Sequence, residues 1–443
     1  MNTPIFNFAK SYAESDTSRL HMPGHKGKTF LGCEKYDITE IDGADVLYHA
    51  DGIIKESEHN ASALFNSAAT FYSTEGSTLC IKAMLSLVCS DKEGRPLILA
   101  ARNVHKAFIY AGALLDFDVE WMYSEESKHL CSCIITAEEI EKHILNCPRK
   151  PDAVYITSPD YLGNIADIKG ISDVCDRHGI PLLVDNAHGA YLGFLEKSIH
   201  PINLGATMCC DSAHKTLPVL TGGAYLHISD KGRSFIPYAE DSLSLFASTS
   251  PSYLILESLD ICNEYLSNGY REKLKKVISV SEKLRSSLEA YGFEVKATEP
   301  LKLTVSALNL GYTGSDLGRY LYENKISCEF CDNDFAVMMF TPENDEEDFI
   351  RIRDSLKKLP VKERIPGFAA DPLVKSSQKL TLRQAVLAKS QWLETEKATG
   401  KICASPTVSC PPAVPVIVSG EEITASAVKI LKAYGTEKIK VVV

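Results

Sequence analysis

The sequence predicts an α/β fold built on a mostly parallel, doubly wound sheet, and two observations support this prediction. Between about residues 65 and 230, short apolar runs typical of buried strands alternate with segments of helix length, which is the order expected for repeated βαβ units. Several of these apolar runs also end in a cluster of polar or charged residues. Since ligands of such sheets bind beyond the carboxyl ends of the strands, these clusters mark the expected site.

The elements of this region can be predicted in order from the apolar patterns. Strands are expected at 97–100, 119–123, 153–157, 181–184, 207–210 and 224–228. Helices are expected at 79–88, 105–115, 137–145 and 171–178, the third of them starting with a capping box made by Thr136 and Glu139. A long amphipathic helix is expected at 254–291, as a bridge out of the large domain.

Four segments are predicted along the chain. Residues 1–60 form an N-terminal arm of turns that packs on a partner subunit, and 61–290 form the large domain with its bridging helix. Residues 291–365 form a smaller α+β domain with strands near 303–305 and 336–340, and 366–443 form a C-terminal domain. In the last segment a helix is expected at 380–396, and the four prolines of 406–415 predict extended chain.

Composition limits the class of function. The 443 residues are 45% hydrophobic and 24% charged, as in ordinary globular proteins, and the net charge of -11 argues against nucleic acid or an anionic membrane as the main partner. No apolar run approaches the roughly 20 residues of a membrane span, and the first 20 residues lack the apolar core of a signal peptide, so we expect a cytoplasmic protein. Of fourteen cysteines only Cys328 and Cys331 have CxxC spacing, so no metal site is expected.

The strongest chemical signal is an acid and an amine at two strand ends. Asp185 closes the strand at 181–184, and Lys215 follows the strand at 207–210. An amine forms a Schiff base with the aldehyde of pyridoxal 5′-phosphate (PLP), and a carboxylate keeps the pyridine nitrogen protonated. Taken alone, Lys215 reads as a surface lysine and Asp185 as a turn cap; together they predict a PLP site.

A phosphate needs hydrogen-bond donors, and the chain offers them just before the helix at 79–88. Gly76, Ser77 and Thr78 combine a glycine, two hydroxyls and the free amides of a helix start, which make an anion site. The plain alternative is a simple N-cap. Ser212, three residues before Lys215, has the spacing for a further phosphate contact.

Two more strand ends carry candidate residues whose roles the residues alone leave open. His105 could stack on the cofactor ring or be an ordinary surface histidine. Thr157 could contact cofactor or substrate, or start a turn.

Together these motifs resemble the Orn/Lys/Arg decarboxylases, which belong to the aspartate-aminotransferase-like fold type I PLP enzymes. The matching segments are 21–27, 76–78, 102–106, 157–159, 184–189, 212–217, 410–415 and 419–421. The sequence departs from the family at Glu75, Cys410 and Ala413, where the family usually has Asn, Tyr and Gly. The length resembles the shorter branch, which includes biosynthetic arginine decarboxylases.

The resemblance implies a role for each candidate. Lys215 would carry the cofactor as a Schiff base, Asp185 would hold the pyridine N–H, and His105 would stack on the ring. His188 would lie near the cofactor's phenolic oxygen or the substrate carboxylate. The phosphate would be held by the remaining residues, which are Ser77, Thr78, Ser212 and His214.

The resemblance also implies decarboxylation of a basic amino acid in a homodimer or larger homo-oligomer with active sites at the interface. Arginine, converted to agmatine for polyamine synthesis, is the first choice of substrate, and lysine and ornithine stay open. Other fold type I reactions, such as transamination or aldol cleavage, also stay open. A third alternative is a relative that binds PLP but is not catalytic. Glu329 aligns with an acidic family position that would bind the distal cation of the substrate. Its competitors are Asp332, Asp45 and Asp51.

Overall fold

Each of the six predicted strands of the large domain forms within one residue of its expected bounds. The computed structural model describes residues 1–124, 130–296, 299–367, 375–406 and 414–443. The helices are, in chain order, α1 Pro4–Glu14, α2 Ile53–Phe65, α3 Gly76–Cys89, α4 Lys106–Leu115, α5 Ala137–Asn146, α6 Ile168–His178, α7 Ala213–Thr216, α8 Ala239–Ser244, α9 Tyr253–Ser267, α10 Tyr270–Ala290, α11 Gly314–Glu323, α12 Glu346–Lys357, α13 Leu382–Leu387 and α14 Ala425–Ala433. The strands are β1 Ala69–Ser73, β2 Leu97–Ala101, β3 Asp118–Met122, β4 Ala153–Thr157, β5 Leu182–Asp185, β6 Met208–Asp211, β7 Ala224–Ile228, β8 Glu294–Lys296, β9 Lys302–Ser306, β10 Phe330–Cys331, β11 Ala336–Met339, β12 Ser390–Glu394 and β13 Lys438–Val442.

One compact unit comprises Met1–Ser90 and Ile168–Lys273. Its strands are neighbours in the order β1, β7, β6, β5. Strands β5 and β6 are parallel, whereas β7 is antiparallel to both β1 and β6. Asp185 at the end of β5 is paired with Cys210 in β6, so the chain segments that follow these two strands start at the same edge.

The second compact unit comprises Asp91–Asp167 and Leu274–Val443. Strand β2 is parallel to both of its neighbours, β3 and β4. A separate antiparallel sheet has the order β10, β11, β9, β8, and β12 pairs with β13 near the end of the chain. The predicted domain boundaries stay predictions.

Helix 137–145 is confirmed together with its capping box, because the Thr136 hydroxyl accepts the Glu139 amide and the Glu139 carboxylate accepts the Thr136 amide. The single long helix predicted at 254–291 is wrong. The chain forms α9 and α10 instead, and Gly269 between them has a φ of +71°. This left-handed conformation interrupts a right-handed helix and suits glycine, which has no Cβ.

The helix predicted at 380–396 is also wrong. Helix α13 ends at Leu387, and the following residues form β12, which pairs antiparallel with β13. The partner strand lies more than forty residues further along the chain, and such distant pairing overrides local helix preference.

The N-terminal arm contains more regular structure than predicted. Helix α1 has Pro4 in its first turn, where a missing N–H costs nothing, and it buries Ile5 and Ala9. The extended segment predicted at 406–415 lies largely outside the described residues. In the described part of the chain, no helix combines the length and apolar character that crossing a bilayer requires.

Candidate active site

Asp185 ends a strand whose residues are all buried, and its own side chain is only 2% exposed. Its Oδ1 accepts a hydrogen bond of 3.2 Å from the Ala187 amide, and the Cys210 thiol lies 3.7 Å from the same oxygen. A buried carboxylate needs such partners, because desolvating an unpaired charge is costly. The structure therefore holds Asp185 in one orientation at the end of β5.

Lys215 and His188 are in contact. Lys215 lies in the single turn α7, directly after β6, and His188 lies in the segment after β5. The Lys215 Nζ atom is 3.1 Å from the Nε2 atom of His188, a buried side chain. The sequence predicted these two residues separately, and the structure brings an amine and an imidazole within hydrogen-bonding distance.

Ser77 and Ser212 bring the two predicted phosphate-binding segments together. Ser212 Oγ donates to Ser77 Oγ at 2.8 Å, and both side chains are buried. Ser77 lies in the first turn of α3, where the leading amide groups have no carbonyl partner within the helix.

Gly76 shapes the chain at this point. It has a φ of +69°, and its amide donates to the Gly222 carbonyl at 2.7 Å. A Cβ placed on Gly76 would meet no atom within 4 Å, so there is open space beside the helix start. Half-buried Thr78 is the next hydroxyl on this turn.

His214 is fixed through its Nδ1 atom. Nδ1 lies 3.0 Å from the Gly223 carbonyl oxygen, and because a carbonyl only accepts, Nδ1 carries the proton. Nε2 of His214 can therefore donate to a phosphate only when the ring is protonated. The predicted phosphate role of His214 thus requires an imidazolium.

A buried polar network that the sequence analysis missed lies directly behind these residues. The Asp211 carboxylate accepts hydrogen bonds from Asn186 Nδ2 at 2.7 Å, His200 Nε2 at 2.9 Å and His227 Nε2 at 3.2 Å. Burial raises the pKa of Asp211, but the two imidazoles outweigh burial and hold that pKa well below its ordinary value. Because Asn186 follows Asp185 and Asp211 precedes Ser212, the network joins the two chain segments that carry the site.

The same network contains possible metal ligands. Ligand atoms of His200, Cys209 and Asp211 lie within 4.8 Å of one another. Within this group, His200 and Asp211 are joined by a hydrogen bond. In the sequence, only Asn186 beside Asp185 and Asp211 beside Ser212 pointed to this network. The position of His227 could not be predicted, because it depends on the antiparallel pairing that puts His227 opposite Cys209.

His105, Thr157 and Glu329 belong to the second unit and are described within it. His105 is exposed and is the N-cap of α4, where its Nδ1 accepts the Ala107 amide at 3.2 Å. Accepting at Nδ1 leaves the proton of the neutral ring on Nε2. Thr157, at the end of β4, has a buried hydroxyl without a hydrogen-bond partner among the described residues.

Glu329 is exposed and accepts a hydrogen bond of 3.1 Å from the Tyr161 hydroxyl. Two of the other carboxylates considered for the distal cation already accept hydrogen bonds from backbone amides. Asp332 accepts the amides of Asp334 and Phe335. Asp45 accepts several amides around the start of α2, among them those of Gly52 and Ile54.

The residues of the first unit fit PLP. Two buried hydroxyls beside a helix start and open space at Gly76 suit a phosphate, a buried carboxylate suits a pyridinium nitrogen, and an amine is present for the aldehyde. Lys215, Asp185, Ser77 and Ser212 would hold the group, and when bound it would supply a conjugated ring that accepts electrons.

Known proteins are similar to this chain in sequence and in fold. The chain is 30% identical to the uncharacterized protein YaaO of Bacillus subtilis, over 97% of this chain and 93% of that protein, and 29% identical to an arginine decarboxylase of Halalkalibacterium halodurans, over 96% and 91%. The solved structure of a lysine decarboxylase from Francisella novicida matches with a TM-score of 0.82 at 17% identity, covering 100% of this chain and 81% of that one, which confirms the predicted fold class. The sequence profile described as "Orn/Lys/Arg decarboxylase, major domain" matches residues 3–306, and the chain therefore belongs to the Orn/Lys/Arg decarboxylase family.

Proposed function

We propose that this protein is a PLP-dependent decarboxylase that converts arginine to agmatine, with lysine or ornithine as the alternative substrates. The observation that carries the proposal is the placement of Asp185 and Lys215 after neighbouring parallel strands, beside the Ser77–Ser212 hydroxyl pair. The choice of arginine rests on the arginine decarboxylases among the relatives.

Each residue of the first unit has a task in this reaction. Asp185 would hold a proton at the ring nitrogen of bound PLP, and the protonated ring would supply an electron-accepting group. Ser77, Thr78 and Ser212 would hold the phosphate of bound PLP, with His214 as an additional donor when its ring is protonated.

Lys215 and His188 handle protons. Their nitrogen atoms are 3.1 Å apart, so a proton can be held by either nitrogen and passed between them. The proton that replaces carbon dioxide on the substrate carbon comes from Lys215 Nζ or His188 Nε2.

Two residues of the second unit complete the proposed set. His105 would stack on the ring of bound PLP, as the family resemblance implies, and an exposed imidazole fixed through Nδ1 suits that task. Thr157 contacts the substrate through its unpartnered hydroxyl.

Glu329 is the proposed ligand of the distal cation of the substrate. Its carboxylate is exposed and touches a single neutral hydroxyl, that of Tyr161, in the described contacts, whereas backbone amides already occupy Asp332 and Asp45. A carboxylate binds a guanidinium through two parallel hydrogen bonds, which an ammonium cannot match.

The decisive experiment offers arginine, lysine and ornithine separately to the purified protein loaded with PLP, and follows amine and carbon dioxide together. Agmatine and carbon dioxide from arginine alone are the expected result. Cadaverine would show that lysine is the substrate, and putrescine would show that ornithine is the substrate. An absence of carbon dioxide with all three would contradict decarboxylation and would favour another reaction of the same fold, such as transamination.

The Glu329 assignment has its own test. We expect Glu329→Gln to raise KM for arginine about tenfold or more, as for a lost charge-assisted hydrogen bond, with a much smaller change in kcat. Glu323→Gln, at an exposed position of α11, is the control. An unchanged KM would remove Glu329 and leave Asp51 as the remaining candidate.

We further propose that the protein forms a cytoplasmic homodimer or larger assembly and works in polyamine synthesis.

A further inference from the structure

Cys328 and Cys331 flank an irregular stretch of an edge strand. β10 lies at one edge of its antiparallel sheet. Phe330 is paired with Val337, yet the Glu329 amide also donates to the Val337 carbonyl at 2.9 Å. Two residues therefore oppose one, which defines a β-bulge.

The bulge explains how Cys328, two residues before β10, and Cys331, within β10, come together. Side chains normally alternate between the two faces, so positions 328 and 331 would point in opposite directions. The extra residue of the bulge resets the alternation and places both cysteines on the same face. The two thiols are thereby close enough to influence each other's titration.

Both thiols are accessible and chemically distinct. Each cysteine is half-buried, and α11 makes room for the second one, because a Cβ on Gly318 would overlap the Cys331 sulfur. The interaction with Cys328 lowers the pKa of Cys331, while the same interaction and burial raise the pKa of Cys328. Cys331 is thus the better nucleophile and Cys328 the thiol that stays protonated.

We propose that Cys328 and Cys331 form a dithiol site that exchanges with small-molecule disulfides. The Cys331 thiolate attacks one sulfur of the disulfide, which releases one thiol and leaves a mixed disulfide. Cys328 then loses its proton and attacks Cys331, which releases the second thiol. The protein loses two hydrogen atoms and two electrons, and the small-molecule disulfide gains them.

The site has a consequence for substrate binding, which rests on the proposed function. Glu329 lies between the two cysteines, and its amide makes the bulge hydrogen bond. A covalent bond between the flanking sulfurs constrains the backbone that carries the Glu329 carboxylate. Oxidation is therefore expected to raise KM for arginine and to leave kcat nearly unchanged.

Peptide mass spectrometry tests the exchange without any activity. The holoenzyme is incubated with glutathione disulfide, in a Cys33→Ser background that removes an exposed thiol. We expect an internal Cys328–Cys331 disulfide that dithiothreitol reverses. Cys328→Ser should trap glutathione on Cys331, whereas Cys331→Ser should react far more slowly at Cys328. Absence of the internal disulfide, or faster reaction at Cys328, would overturn this assignment.

Kinetics test the consequence for the substrate. Oxidised protein should show a KM for arginine raised about tenfold, restored by reduction. Cys331→Ser cannot form the internal disulfide and should keep its KM after the same treatment. An oxidised protein with unchanged KM would overturn the link to Glu329. A protein that forms the disulfide but releases carbon dioxide from none of the three amino acids would contradict the proposed function and support the exchange site.

Discussion

The guanidinium of Arg102 and the carboxylate of Glu421 form two parallel hydrogen bonds of 2.8 and 2.7 Å, although they are 319 positions apart in the chain. Both side chains are almost fully buried, and Arg102 Nε also donates to the Pro415 carbonyl. Arg102 lies three residues before His105, so the pair ties the C-terminal segment to the strand end that carries the proposed stacking residue.

This pair predicts a strong effect on stability. Glu421→Ala leaves a buried guanidinium without its counter-charge, and breaking such pairs costs about 3–5 kcal/mol of unfolding free energy. Replacing both partners, as in Arg102→Met with Glu421→Leu, should cost much less. Urea denaturation measures the effect, with Lys438→Ala in an exposed ion pair as the control. Equal losses in the single and double variants would contradict this account.

Lys215→Ala should abolish the visible absorbance that PLP gains on bonding to a lysine, together with decarboxylation. Loss of the amine removes the only covalent attachment that we propose for the cofactor. Lys197→Ala, at an exposed position of the same unit, should keep both properties. A Lys215→Ala protein with wild-type absorbance would show that another lysine carries the cofactor.

Asp185→Ala should lower kcat by about a hundredfold or more, the scale of loss when one preorganised charge is removed. The ring nitrogen would then lose its proton more readily, and the electrons of the broken bond would be less stabilised. Asp185→Glu should recover part of the rate, which separates loss of charge from loss of fold. Circular dichroism checks folding, and an unchanged kcat in Asp185→Ala would remove this residue from the mechanism.

The hydroxyls of Ser77 and Ser212 should show coupled effects on PLP affinity. Each Ser→Ala change removes one hydrogen bond to a charged group, worth about 1.5–3 kcal/mol. Because the two oxygens are 2.8 Å apart, we expect the double variant to deviate from the sum of the single effects. PLP titration measures the affinities, with Ser267→Ala, an exposed position at the end of α9, as the control. Strict additivity would contradict a shared ligand.

The sequence predicted the strands of the large domain well because their signal is local. Each strand is a short apolar run, and such runs are read without knowing the partners. The break at Gly269 and the strand β12 were missed, since one depends on a single left-handed residue and the other on pairing with β13.

In the candidate site, too, residues with a local sequence signal were predicted and residues that depend on the fold were not. Lys215, Asp185 and Ser77 could be found because each stands next to a recognisable strand end or helix start. The Asp211 network could not, because His200 and His227 reach it only through the fold. The link between Arg102 and Glu421 was equally hidden, although both residues lie in motifs that the sequence analysis singled out.

Glu257 on α9 makes the stability of the protein dependent on pH. Its side chain is 4% exposed, and burial, with the nearby carboxylates of Asp37 and Asp260, raises its pKa from 4.5 to about 8. Among the described residues its Oε1 atom has no hydrogen-bond partner. The folded protein therefore keeps this proton over a range in which the unfolded chain has lost it. The stabilisation is complete below pH 4.5 and is lost as pH rises through about 8.

Glu257→Gln removes this titration and should flatten the decline in unfolding free energy across that range. At pH 9 the variant should be more stable than the wild type, by at most about 5 kcal/mol, since each pH unit between 4.5 and about 8 corresponds to about 1.4 kcal/mol. Urea denaturation at several pH values measures the curve, with Glu264→Gln, exposed on the same helix, as the control. A wild-type pH profile in Glu257→Gln would mean that Glu257 is already ionised in the folded protein. The decline would then arise from other buried acids, such as Glu58 and Asp260, whose pKa values burial raises to about 7 and about 6.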